Sequence, residues 1–118
     1  MTETSNKQYD LEDRTFEFAK RVRNLVKKIN RTISNIEYGK QLIRSSGSVG
    51  ANYIEANESL GKKDFLMRIR ICRKEAKESR YWLRLICVDS YLDAEVLKLI
   101  QEATELTSIF GSILQKSK

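Results

Sequence analysis

The helical pattern from Lys62 to Cys87 runs without a break, and it constrains what the rest of the chain must supply. Phe65, Ile69, Cys72, Ala76, Ser79, Leu83 and Ile86 recur at alternating steps of four and three, the row that a helix turns toward a bundle core. At about 3.6 residues per turn, Arg70, Arg73, Lys74, Lys77, Arg80 and Arg84 gather on one flank of that row, with Lys63. Met67, Ile71, Trp82 and Leu85 gather on the other flank, with Glu75 and Glu78. An amphipathic helix needs one apolar face, so this second apolar strip is expected to meet another subunit.

The chain has 118 residues, 41% of them hydrophobic, and no proline, enough for one domain with a buried core. Long helical patterns broken at short intervals predict an all-α, antiparallel up-and-down four-helix bundle over residues 11–118. Residues 1–10 are polar and aperiodic and read as a disordered tail. The net charge of +6 is unevenly spread. Nine cations stand against three carboxylates between Lys62 and Arg84, and six cations without an acid lie between Lys20 and Arg31. Segregation of this kind favours a polyanionic partner over mere solubility.

Taken in order, the first helix is expected from about Leu11 to Asn30, burying Phe18, Val22, Leu25 and Ile29. Ser34 and Glu37 read as a capping box opening a second helix that ends near Asn57. Ser45, Ser46, Gly47, Ser48, Gly50 and Ala51 crowd its centre, which suggests close approach of a neighbouring helix. Gln41, Ser45, Ser48, Asn52 and Glu55 form one polar line along it. A hydrogen-bonded network that fixes helix register explains that line more simply than a binding site does. Asp93 reads as the N-cap of a fourth helix reaching about Gln115, with Val96, Ile100, Ala103, Leu106, Phe110 and Ile113 as its core stripe.

Several chemistries are disfavoured by composition. The chain has no histidine, which removes the commonest general base and metal ligand. Neither cysteine has an imidazole partner to activate it, and no glycine-rich phosphate loop follows a strand. No catalytic residue, metal or cofactor is therefore expected. Cys72 and Cys87 lie about 22 Å apart on one helix by rise alone, too far to bond; both read as buried thiols of a reducing compartment. MTETSNKQYD lacks the apolar core of a signal peptide, and no stretch could span a bilayer. A cytoplasmic location, away from membranes, is the expectation.

The pattern Gln41-x-x-Arg44-Ser45-x-x-Ser48-Val49-x-Ala51-Asn52-x-Ile54-Glu55-Ala56, followed by a long basic helix, resembles the bacterial four helix bundle proteins, also called 23S rRNA intervening-sequence proteins. The similarity extends from about Leu11 to Leu114. It implies the four-helix fold and a kinship with accessory variability proteins of diversity-generating retroelements. Those form barrel-like homopentamers with basic surfaces and bind nucleic acid and a reverse transcriptase. In this chain Ala76-Lys77-Glu78-Ser79 stands where family members often have Ala-x-Gly-Ser, so Glu78 replaces a glycine.

Two functions fit these surfaces. Arg70, Arg73, Lys74, Lys77, Arg80 and Arg84 could contact successive phosphates of RNA or DNA, by backbone rather than base recognition. Tyr81, on the same side, could stack on a base. Alternatively, a homo-oligomeric scaffold could use Met67, Ile71, Trp82 and Leu85 to assemble and the basic stripe to dock an acidic protein.

Overall fold

Four helices form from the four periodic stretches: α1 (Lys7–Val26), α2 (Ile33–Asn57), α3 (Lys62–Leu85) and α4 (Asp93–Lys116). The computed structural model describes residues 7–117, with side chains from residue 11 onward. Of the expected tail, residues 1–6 lie outside the described residues. Lys7 to Asp10 already belong to α1, so this helix starts one turn earlier than the apolar pattern indicated. The connections are short, and successive helices run antiparallel. α1 packs on α2 and α4, and α3 on α2 and α4, closing a four-helix ring.

One apolar row from each helix fills the centre. Phe18, Val22 and Leu25 meet Leu42, Val49 and Tyr53, and these meet Ile69, Cys72, Ala76 and Leu83. Leu99, Ala103, Leu106 and Phe110 complete the core from α4. The α3 row is buried as its periodicity requires, apart from a half-buried Phe65. On α4 the buried line includes Leu99, while Val96, Ile100 and Ile113 are only partly covered. Full burial of a leucine or phenylalanine side chain contributes about 1.5–3 kcal/mol.

Helix ends depart from the sequence reading, for one shared reason. Buried Asn35 donates from Nδ2 to the carbonyls of Asn30 (2.9 Å) and Cys87 (2.9 Å), and its Oδ1 accepts from the Cys87 N–H (2.9 Å). One side chain thus satisfies backbone groups from two connections that would otherwise be stranded. It holds the chain in a turn after Val26, so α1 stops four residues short of Asn30, while Ile29 still folds back into the core. At the other connection it holds Cys87 off the end of α3, which closes at Leu85. Cys87 is therefore exposed rather than buried on the helix.

Two caps also differ. The N-cap of α2 is Thr32, whose Oγ1 accepts from the Asn35 N–H at 3.1 Å; the Ser34/Glu37 box does not form. Asp93 is the first residue of α4 rather than its cap, and a single 3-10 turn over Ser90–Leu92 leads into it. Asp93 and Glu95 still lie in the first turn, where the helix dipole favours negative charge.

The small residues of α2 serve a close approach at one point. A Cβ on Gly50 would come within 2.9 Å of Thr15 Oγ1 and 3.2 Å of Thr15 Cβ. Thr15 is itself buried, with its hydroxyl donating to the Leu11 carbonyl at 2.8 Å. Gly47, by contrast, has nothing within 4 Å of its would-be Cβ. Its expected packing role is absent.

The polar line of α2 divides. Ser45, fully buried, shares a 2.8 Å hydrogen bond with Ser79 of α3, which donates onward to the Glu75 carbonyl. Asn52 donates to Ser48 Oγ and accepts from Arg68 at 3.0 Å, a second tie to α3. Gln41 and Glu55 are exposed and join neither. These contacts hold α2 against α3 and enclose no ligand-sized space.

Candidate nucleic-acid interface

Positions 70, 73, 77, 80 and 84 of α3 follow at steps of three and four, so they form a ridge beside the buried row, and α4 is the next helix on that side. Arg70, Arg73, Lys74, Lys77, Arg80 and Arg84 are all exposed. None of the six forms an ion pair with a described residue. Two concavities lie along the α3/α4 seam. Lys77, Arg80, Tyr81 and Arg84 face Thr104, Thr107 and Ser108 across the first. Arg70 and Arg73 face Gly111 and Gln115 across the second, with Leu66 and Leu114 as its apolar floor. Gly111 leaves room for the Arg73 side chain, whose Nε would stand 3.5 Å from an added Cβ. Lys74 lies outside both concavities on the exposed surface.

Three glutamates of α4 point away from this seam. Glu102 and Glu105 accept from Arg14 of α1, and Glu95 accepts twice from Arg21 at 3.0 Å. The hydrogen bonds that Arg14 donates to Glu102 lift its pKa above the usual value. The bond from Arg21 holds Glu95 below the ordinary carboxylate range. Glu105 is lowered too, first by a hydrogen bond from Gln101 and then by Arg14. The acidic face of α4 is thus the partner of two arginines on α1. Arg21 is spent there and Lys20 pairs with Glu17 at 3.2 Å, so the α1 cluster offers fewer open cations than its composition suggests.

On the opposite flank of α3, Glu75 and Glu78 accept from Arg44 of α2. Desolvation works against the Arg44 charge, but the Glu78 hydrogen bond and the Glu75 charge raise its pKa overall. The apolar strip shares this flank. Met67 is 44% exposed, Ile71 and Leu85 are half-buried, and Trp82 is engaged within the chain. Its ring stacks on Tyr38 with centroids 5.7 Å apart, and its Nε1 donates to Glu78 at 3.1 Å. A further apolar surface, Phe16, Ile43 and Ile54, is exposed on α1 and α2. Ile43 also lines a groove with Val26, Ile29 and Ile36. Local pattern does not reveal this groove, because Ile43 borders the polar line of α2 and the residues it meets, Val26 and Ile29, come from another part of the chain.

Neither cysteine contributes chemistry to the seam. Burial pushes the Cys72 thiol up to about 12, which keeps it protonated and inert. Among the described residues no helix is long and apolar enough to cross a membrane.

Residues 7–112 match the model of the family described as 23S rRNA-intervening sequence protein. The chain belongs to that family. A protein of unknown function from the S23 ribosomal protein family of Bacteroides thetaiotaomicron VPI-5482 has a similar solved structure, with a TM-score of 0.77 and 32% identity. The match covers 92% of this chain and 98% of that one. Comparison with curated proteins finds no match. Within the intervening-sequence family fold, Glu78 occupies the position where a glycine was expected, and its carboxylate holds both Arg44 and Trp82. The departure therefore falls on the α2/α3 flank and leaves the basic seam untouched.

Proposed function

We propose that this intervening-sequence family protein binds nucleic acid along the α3/α4 seam, without catalysing a reaction, as an assembly of identical subunits. One observation carries the reading: six exposed cations on α3 have no carboxylate partner among the described residues, while every carboxylate of α4 that makes an ion pair makes it with α1. Unpaired like charges repel one another, so the arrangement is unfavourable until a polyanion neutralises it. Phosphates do so with release of counterions, and the binding constant then falls steeply with salt. Exposed Met67, with half-buried Ile71 and Leu85 beside it, supports assembly through that flank. Five copies is the number that the resemblance implies.

Fluorescence anisotropy against structured RNA, single-stranded RNA and duplex DNA over a salt series tests the reading. Arg73→Glu, Lys77→Glu and Arg84→Glu together should abolish binding and leave the particle mass unchanged. Ile71→Asp should lower the mass in light scattering. Absence of binding by a correctly assembled protein near physiological salt would remove the nucleic-acid reading and favour an acidic protein as the partner.

A further inference from the structure

We infer that the ligand of the α3/α4 seam is an unpaired nucleotide strand, with one base stacked on Tyr81; this rests on the nucleic-acid reading above. Tyr81 is 55% exposed and lines the same concavity as Lys77, Arg80 and Arg84. Its ring meets Trp82 edge-on, with centroids 5.0 Å apart and planes at 72°. Trp82 is in turn anchored by Tyr38 and Glu78. Tyr81 is thus braced from one side while more than half of its surface stays open. A braced aromatic beside a line of cations is what a single strand requires: a ring for a base and positive charge for the phosphates on either side. In a duplex the bases are stacked on one another and offer Tyr81 no face.

The shape of the charged surface points the same way. From Arg70 to Arg84 the ridge is about 21 Å long at the rise of a helix, and it is narrow. Beyond α4 lie Glu95, Glu102 and Glu105; beyond the other flank of α3 lie Glu75 and Glu78. One row of phosphates follows the open cations. The second row carried by a duplex would lie over side chains whose charges are already paired, Glu95, Glu102 and Glu105 with Arg21 and Arg14 and Glu75 and Glu78 with Arg44, and would meet no comparable line of open cations there. The wall contributed by α4 is neutral. Thr104 and Thr107 donate to the carbonyls of Ile100 (2.9 Å) and Ala103 (2.8 Å), so their outward lone pairs accept. A phosphate oxygen has no proton to give them, whereas a base amino group or a ribose 2′-hydroxyl does.

The chain provides its own reporter, since Trp82 is the only tryptophan of the 118 residues. Oligouridylate of about 12 nucleotides, the matching oligodeoxythymidylate and duplex RNA of the same length are titrated at fixed salt, reading Trp82 fluorescence and anisotropy. Both single strands should bind more tightly than the duplex and change the Trp82 emission. If the hydroxyl wall reads the sugar, the ribose strand binds more tightly than the deoxyribose strand; equal binding assigns the site to any unpaired strand. Tyr81→Ala should weaken single-strand binding by roughly 5- to 100-fold with the salt slope unchanged, because no charge is lost. Tyr81→Phe should restore the affinity. Equal single-strand binding by wild type and Tyr81→Ala, or tighter binding of the duplex, would overturn the inference while the proposed function stands. No salt-dependent binding to any of the three would overturn both.

Discussion

Helix α4 has two neighbours and treats them differently. Toward α1 it presents Glu95, Glu102 and Glu105, and Arg14 and Arg21 close on them in bidentate or paired geometry. Toward α3 it presents Thr104, Thr107, Ser108 and Gly111, and the cations opposite stay open. The fold needs both seams, since both helices bury their apolar rows against α4. It needs charge pairing at only one. The difference separates charge that closes the bundle from charge that the bundle leaves available, a distinction that the net charge of +6 hides.

Substitutions can break this comparison at different depths. Leu106, fully buried on α4 beneath both seams, is the deepest: Leu106→Ala should destabilise by about 2–5 kcal/mol in urea unfolding. Because it undermines both seams, it should also weaken binding in proportion to the unfolded fraction. Removing one side chain from each seam should separate them. Arg14→Ala should cost about 1 kcal/mol, because its partner Glu102 is largely covered. Arg84→Ala should stay within about 0.5 kcal/mol. Equal losses from the two would erase the distinction between paired and open charge.

Acid sharpens the comparison most gently. Arg21 holds the Glu95 pKa below its ordinary 4.5, so the native state favours the ionised carboxylate. That contribution is fully present above the unfolded-state pKa and fades as pH falls through the lowered native value. A thermal melt series from neutral pH downward should therefore show stability falling below about pH 4.5, and less steeply in Glu95→Gln. Identical acid profiles for the two proteins would show that the Arg21–Glu95 pair adds nothing.

The core of α3 was legible in the sequence because burial on a helix has a period, and from Ile69 to Leu83 every residue of that row is buried, with Glu75 as the one buried residue outside it. The exposed basic ridge was legible for the same reason, as the complement of that row. What local pattern could not reveal are contacts between residues far apart in sequence. Asn35 and Cys87 are separated by 52 positions, yet their hydrogen bonds decide where α1 and α3 end. Arg14 and Glu102 are separated by 88, and without their pairing the acids of α4 look like ordinary surface. Thr32 and Ser34 are both competent caps two residues apart; the bond from the Asn35 N–H selects Thr32. Trp82 appeared free for another subunit because its α2 partner, Tyr38, lies 44 positions away.

The most direct test removes the same amount of charge from each seam and measures the slope of log affinity against log salt for single-stranded RNA. Arg73→Gln with Arg84→Gln should flatten that slope by about 1.4, the loss expected for two phosphates on a single strand. Arg14→Gln with Arg21→Gln should leave the slope as it is in the wild type, since those arginines are already occupied by carboxylates. Equal flattening by both pairs would contradict the account, because binding would then follow the total charge of the protein and not the open seam between α3 and α4.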